Sequence, residues 1–354
     1  MLPAGTFNTT YAKDMAIIRT PLQWALFGAF IVLLFGVFPF AASNSTLSLA
    51  NNIAIILIAV LGLQILTGLC GQISLGQAAF MGVGAYVHGV LVTTYQMHFI
   101  PAMLIAATTT ALVGLIFGTS SLRVKGFYLA MATLAAQNII TWTIIHSPRA
   151  ITGGPDGLHI PSATLGPWTF DDRHEVEFFY LAFGIAALMT FFAKNIARTR
   201  AGRAFIAIRD NDLAAEAMGI NIFRYKLLAF AISSFYAGIA GALFAHHINV
   251  ISPDHFNLVE SIWQVGMLIV GGLGSILGAI LGTIVLLVLR DFFLPVLAPI
   301  LAKIFPLLAL ELFTSLALMV FGVVLMIFLI LEPRGLAHRW EIFKASYRLH
   351  PFSH

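Results

Sequence analysis

The sequence predicts an all-α, polytopic bundle of about eight to ten membrane-spanning helices, several of them broken at glycine. Composition is the first reason: 59% of the 354 residues are hydrophobic, only 10% are charged, and the mean hydropathy is +0.93, far from the balance of a soluble domain. The second is the form of the apolar runs, which are continuous and repeatedly approach the roughly 20 residues that a helix needs to cross a bilayer. Only helices and closed barrels satisfy their backbone groups in hydrocarbon, and a barrel would alternate apolar and polar residues. The third is charge placement. The formal charge of +4 and the pI near 9.3 come from basic residues in segments flanking the apolar runs, which points to membrane orientation and away from nucleic acid. The single cysteine, Cys70, rules out an intrachain disulfide and a CxxC metal site, and no metal or cofactor is expected.

Residues 1–21 are polar, carry Lys13 and Arg19, and precede an apolar run at 22–40. That run is longer than a signal peptide's apolar core, so an uncleaved first helix with a cytoplasmic N-terminus is expected. The run 49–66 contains or adjoins Asn51, Asn52 and Gln64, which belong in the bundle interior. The stretch 68–95 holds six glycines together with Gln72, Ser74 and Gln77. It suits either an interrupted helix lining a cavity or plain tight packing. His88 within it reads as a lone hydrogen-bonded packing residue.

A span at 101–120 contains Gly114-x-x-x-Gly118, and a basic turn at 121–126 leads to a span at 127–145 with Gln137 and Asn138. The connection 146–177 has five acidic residues against two basic ones and is read as an outward, periplasmic loop. Spans at 178–193 and 227–245 flank the most charged segment; the second carries the small-residue stripe Ala237, Gly241, Ala245 and ends at His246 and His247. These adjacent histidines point about 100° apart on a helix and read as interfacial rather than as a metal pair. The stretch 261–289 exceeds one crossing and is interrupted by Gly271-Gly272-Leu273-Gly274-Ser275, so a broken helix is expected. Prolines 295, 299 and 306 punctuate 292–310, 312–331 is the last clear span, and the basic tail 332–354 is placed in the cytoplasm.

The segment 194–226 is the one the others serve. It holds seven basic residues (Lys194, Arg198, Arg200, Arg203, Arg209, Arg224, Lys226) and three acidic ones (Asp210, Asp212, Glu216), which makes it cytoplasmic by the charge rule. Within it, Asn211 or Asp212 can cap a short helix through Met218, with Gly219 placed to end it. Two turns of small residues would be marginal alone, so the helix makes sense as a knob shown to another protein. Charge alone would equally describe a solvated loop.

The run Leu213-Ala214-Ala215-Glu216-Ala217-Met218-Gly219 resembles the coupling-loop motif of ABC-importer permeases, with Leu213 where the motif has glutamate. Together with Gly71-Gln72-Ile73-Ser74-Leu75-Gly76-Gln77, Thr152-Gly153-Gly154-Pro155-Asp156-Gly157 and Gly271–Ser275 in that order, the chain is similar to LivM-type permeases of branched-chain amino acid ABC importers, from about residue 53 to 336. The resemblance implies a single transmembrane permease domain in a bacterial inner membrane, with both termini cytoplasmic. It also implies a homologous second, LivH-like permease subunit, two cytoplasmic ATP-binding subunits and a periplasmic solute-binding protein. Asp212, Ala214, Ala215, Glu216 and Gly219 would form the contact with an ATPase subunit. Ser74, Gln77, Gln264, Gly272 and Ser275 are the candidates for the translocation path, because unwound backbone offers amides and carbonyls at membrane depth.

No catalytic constellation is present. None of the six lysines follows a glycine, so a GxxxxGK[ST] phosphate loop cannot occur and any ATP must be hydrolysed by another polypeptide. Two rivals remain at the level of sequence. A gradient-driven transporter would need an acidic coupling residue, for which Glu260 and Glu311 at the edges of apolar runs are the candidates. A membrane scaffold would explain the glycines but not the helix at 212–218. The solute is open among leucine-like amino acids, urea, short amides and aromatic acids.

Overall fold

The computed structural model describes residues 21–121, 127–154, 157–161, 163–165, 168–170, 175–296 and 309–349. The expected cytoplasmic N-terminus, most of the basic turn at 121–126, Pro155 and Asp156, Pro299, Pro306 and the last five residues of the tail lie outside them. Helix α1 (Pro21–Val32) continues through a π-helical turn, Leu33–Val37, into Phe38–Ala41. The Tyr180 hydroxyl donates to the Phe35 carbonyl in that turn at 2.7 Å. Helix α2 (Asn44–Leu63) is N-capped by Ser43 and extends through a second π-helical turn, Gln64–Leu69. Then come α3 (Gln77–Thr93), α4 (Phe99–Ser121) and α5 (Phe127–His146).

The acidic connection holds one helical turn, Arg149–Thr152, and strands β1 (Leu158–His159), β2 (Ala163–Leu165) and β3 (Trp168–Phe170). Strands β2 and β3 form an antiparallel hairpin, and β1 pairs antiparallel with β4 (Val250–Ile251). Helices α6 (Glu175–Arg198), α7 (Arg200–Asp210), α8 (Asp212–Ala217) and α9 (Ile222–Ile248) follow. A 3-10 turn at Pro253–Phe256 leads to α10 (Leu258–Gly271) and α11 (Ile276–Val288), and α12 (Ala309–Leu331) and α13 (Leu336–Leu349) close the chain.

Among the described residues, six helices are long and apolar enough to cross a bilayer, and a seventh is counted if the pair Leu318–Leu331 and Leu336–Lys344, bent by 41°, forms one span. The sequence count of eight to ten included segments that fold as shorter pieces. The 68–95 stretch is unwound over 70–76, which leaves the shorter helix Gln77–Thr93, and the 261–289 stretch splits at Gly272.

Helix α9 is the centre of the bundle, packed by α2, α3 and α4. Hydrocarbon outside the helices removes the usual hydrophobic drive between them, so close backbone approach supplies the packing. A Cβ added to Gly84 of α3 would lie 2.5 Å from Gly238 Cα, and one added to Gly62 of α2 would lie 2.6 Å from Tyr236 Cβ. The Gly114–Gly118 face of α4 meets α9 at Ser234, Leu227 and Phe230. The stripe Ala237, Gly241, Ala245 is buried as its spacing predicts. Large apolar side chains of α4 and α5, such as Leu112, Ile116, Ile139 and Trp142, point away from the bundle.

Replacing Gly84 by valine should therefore destabilise the bundle by about 1–3 kcal/mol, the usual range for overpacking. The control is Gly184→Val, where nothing lies within 4 Å of the added Cβ. Thermal unfolding of the detergent-solubilised protein should separate the two; equal midpoints would refute the α3–α9 crossing.

Candidate functional site

The charged segment folds as two helices, of which the sequence announced only the second. Helix α7 is capped by Thr199, whose hydroxyl accepts from Gly202 N at 3.3 Å. It buries Ala204, Phe205 and Ile208 and leaves its arginines outside, and Phe205 meets Tyr225 of α9 edge-on at 6.2 Å. The signal for it was present in the spacing of those three residues, one face of a helix, but the density of charge masked it.

Helix α8 begins at Asn211, whose side chain accepts from Ala214 N at 3.1 Å; of the two expected caps, the structure uses this one. It ends in a Schellman motif: Ile220 N donates to Ala215 O at 3.0 Å and Gly219 N to Glu216 O at 2.9 Å, with Gly219 at φ +82°. Asn221 then caps α9 by accepting from Arg224 N. Ala215 is 4% exposed and faces the bundle, while Ala214, Glu216 and Gly219 are exposed and Asp212 is half-buried. Two apolar side chains the sequence analysis had not assigned to a contact, Leu213 at 69% and Met218 at 83% exposure, stand out from the same helix. Of the five residues assigned to the coupling contact, Ala215 anchors the helix and the rest lie toward its outer surface.

Three residues before α8, Arg209 donates from Nη1 to Gly68 O in the π turn of α2 at 3.0 Å and pairs with Asp210 at 2.9 Å. An added Cβ on Gly71 would lie 2.9 Å from Arg209 Cγ, and one on Gly274 would lie 2.9 Å from Arg209 Nη1. Arg209 therefore sits where both glycine breaks, 70–76 and 272–275, meet the charged segment. Gln64 joins the breaks to each other by donating to Ser275 O at 3.1 Å and to Gly272 O at 3.5 Å. Gly272, at φ +112°, lies against Gly335 and the Arg334 carbonyl at the start of α13.

The five path candidates divide between the two ends of the bundle. Gly272 and Ser275 belong to the second break beside Arg209, where Ser275 caps α11 by accepting from Gly278 N. Ser74, buried in the first break, accepts from Gly76 N. Gln77 is a tie between helices: its Nε2 donates to Ala59 O and Ser233 O, and its Oε1 accepts from Ser233 Oγ at 3.1 Å. The adjoining N–H groups of α3 are met by Ser261 Oγ and Gln137 Oε1, both at 3.0 Å.

Gln264 is different. It is 1% exposed, its Oε1 has no hydrogen-bond partner among the described residues, and its Nε2 reaches only the Met81 sulfur at 4.0 Å. It lines a cavity of about 310 Å³ with Asn52, Ile56, Ala78, Met81, Phe244, His247, Ile248, Asp254, His255, Glu260 and Arg290. Arg290 donates from Nη1 to both oxygens of Glu260 at 3.0 and 2.9 Å and from Nε to Asp291 at 2.8 Å. Asn52 donates to the other Asp291 oxygen at 2.9 Å.

One histidine assignment changes. His246 is buried rather than interfacial, and its Nε2 lies 2.8 Å from Nε2 of His88, so His88 is not alone. The 158 residues between them hid the pair. Among the described residues no group of three or more metal-ligating side chains occurs.

The family model for the branched-chain amino acid transport system permease component matches residues 45–329. The chain is 32% identical over 287 residues to the high-affinity branched-chain amino acid transport system permease protein LivM of Escherichia coli K12, covering 75% of this chain and 67% of that one. It is 31% identical, with the same coverage, to the protein of that name from Salmonella typhimurium. It is also 26% identical over 258 residues to the autoinducer 2 import system permease protein LsrC of Escherichia coli O9:H4, covering 67% of this chain and 68% of that one. No solved structure is matched.

The joint at Arg209 gives the single cysteine a use. Cys70 is fully buried between the joint and Lys226, which closes its thiol to reagents in the folded chain. Alkylation by N-ethylmaleimide, which needs the thiolate, should be negligible in the folded wild type between about pH 7 and 9 and rapid once the chain is unfolded. Arg209→Ala leaves the Gly68 carbonyl without its donor and should raise the native labelling rate by about tenfold or more through local opening. An unchanged rate would mean that Arg209 does not hold the break closed.

Proposed function

The chain belongs to the family of branched-chain amino acid transport system permease components, and from that premise we propose that it is the membrane-spanning permease subunit of an ABC importer for branched-chain or other hydrophobic amino acids. It works with a homologous second permease subunit, two cytoplasmic ATP-binding subunits and a periplasmic solute-binding protein. The observation that carries this reading is α8: a six-residue helix capped at both ends, anchored by one buried methyl group and exposing Leu213 and Met218. So short a helix is marginal even with its caps, and seating in a cleft of an ATPase subunit gives its exposed apolar side chains a partner. The contact is completed by Asp212, Ala214, Glu216 and Gly219.

In this reading the end carrying α8 faces the cytoplasm, together with both termini, and the strand-bearing connection faces the periplasm, where the binding protein docks. Closure of the ATPase subunits on ATP displaces α8. Because α8 is continuous with α7 and α9, and Arg209 is bonded to the first break, the displacement reaches α2 and α9 directly. The cavity at the far ends of those helices then changes access. The protein contributes coupling, positioning and a path, and the chemistry of hydrolysis belongs to its partners.

The solute class follows the LivM relatives, and the LsrC relative supports a family scaffold that serves chemically unlike solutes, so urea, amides and aromatic acids remain the alternative cargo. The gradient-driven reading is weakened by Glu260, whose two carboxylate oxygens both accept from Arg290, so that its charge is already paired within the chain. The side chain of Glu311 lies outside the described residues.

The test is ATP-dependent uptake of labelled leucine into proteoliposomes holding this chain with its co-purifying partners. Gly219→Val forces a β-branched residue into a left-handed conformation, and Ala214→Arg adds bulk to an exposed face without touching the core. Both should lower uptake by about tenfold or more while the Ala214→Arg chain keeps the wild-type unfolding midpoint. Uptake by this chain alone, without ATP and unaffected by either change, would sink the importer reading in favour of a gradient-driven carrier.

A further inference from the structure

The cavity at the end of the bundle opposite α8 contains more polar chemistry than packing requires. Its wall is built from six elements, among them α2 with Ile56, α3 with Met81, α9 with Phe244, α10 with Glu260 and Gln264, and the π turn after α11 with Arg290. Two features are unusual. Three carboxylates, Asp254, Glu260 and Asp291, lie on or beside this cavity with one guanidinium, Arg290. And of the buried side-chain polar atoms without a hydrogen-bond partner among the described residues, which include Asn51 Oδ1 and Gln64 Oε1, Gln264 Oε1 is the one that lines this cavity, although an unsatisfied buried acceptor costs about 1–3 kcal/mol. A packing residue would be under pressure to be apolar here. A residue kept for a ligand would look as Gln264 does.

We propose that this cavity is a binding subsite for a zwitterionic amino acid, with the α-ammonium group received by Gln264 Oε1 beside the Glu260 carboxylate, the α-carboxylate met by Arg290, and the side chain laid against Ile56, Met81 and Phe244. The proposal rests on the import reading above and gives it a place in the chain. The charges fit: the acidic excess attracts an ammonium group, and Arg290 uses Nε and Nη1 on Asp291 and Glu260, leaving the two N–H groups of Nη2 outside those bonds. The size fits as well, since about 310 Å³ is at the small end of the roughly 300–1,000 Å³ of ligand pockets. The location also agrees with access control, because α2 and α9 run from this cavity to the Arg209 joint and to α8.

The experiment uses the purified complex of this chain with its partner subunits in lipid discs, without nucleotide and without solute-binding protein, so that only a site in the membrane part can respond. Ile248→Cys places a thiol on the cavity wall, and the buried native Cys70 contributes little background. The labelling rate with a small methanethiosulfonate reagent is read on this chain by mass while leucine is titrated, with 4-methylpentanoate and 3-methylbutylamine as analogues lacking the ammonium or the carboxylate. Leucine should slow labelling, each analogue should need about tenfold more, and Gln264→Leu should raise the half-protecting leucine concentration by about tenfold or more.

Gln264→Leu conserves volume and removes an unsatisfied polar group, so its unfolding midpoint should not fall. Protection that persists unchanged in Gln264→Leu and in Glu260→Gln would overturn the proposal by placing the site elsewhere. Absence of protection in a complex that still imports leucine with ATP would overturn it while the import reading stands, and absence of both would remove both.

Discussion

A helix that stops within a bilayer strands peptide groups that neither lipid nor a following turn can satisfy, and this chain makes two such stops, at 70–76 and 272–275. A whole set of the buried polar residues serves that constraint. Thr67 donates to Gln72 O, Thr133 accepts from Leu75 N, and Ser261 and Gln137 accept from the first N–H groups of α3. Gln64 and Arg209 donate to carbonyls at the breaks themselves. Because these partners come from α5, α7 and α10, satisfying the backbone also fixes which helices meet. The interruptions are therefore the points at which the bundle is fastened together.

The same arrangement separates two tasks along shared elements. At one end lie α8, Arg209 and the two breaks; at the other lie the Arg290–Glu260–Asp291 network and the Gln264 cavity. Helix α10 carries Glu260 and Gln264 in its first half and reaches the second break with Gly271. Helix α2 presents Asn52 and Ile56 to the cavity and Gln64 to the joint. No long chain of intermediates is needed for the two ends to sense each other, since the helices themselves connect them.

Much of this was legible in the sequence. Hydrophobic continuity gave the helical membrane fold, glycine clusters gave both breaks, and the order Asn-Asp-Leu-Ala-Ala-Glu-Ala-Met-Gly gave the short helix with its cap and its left-handed end. What sequence could not supply was proximity across long separations. Arg209 and Gly68 are 141 residues apart, Asn52 and Asp291 are 239 apart, and Glu260 and Arg290 belong to different helices. Gln77 and Gln264 look alike as glutamines within apolar surroundings. Only the geometry distinguishes a side chain whose hydrogen bonds are complete from one whose oxygen is left without a partner. Helix α7 was hidden for a different reason: its apolar face is three residues wide, and four charges along 200–210 outweighed it.

The crossing of α3 and α9 at Gly84 and Gly238 has one more consequence, which is a matter of leverage. Helix α9 has 27 residues, a rod of about 40 Å at 1.5 Å per residue, and Gly238 lies not far from its middle. Backbones in contact there, with no side chain between them, form a narrow bearing about which a rigid rod can rock. A tilt of about 10° about such a point carries the Ile222 end of the rod through roughly 4 Å and the Ile248 end through roughly 2.5 Å, at 1.5 Å per residue. The smaller arc is already close to a hydrogen-bond length, and it would arise from a movement at Ile222 small enough to leave every bond within α9 intact.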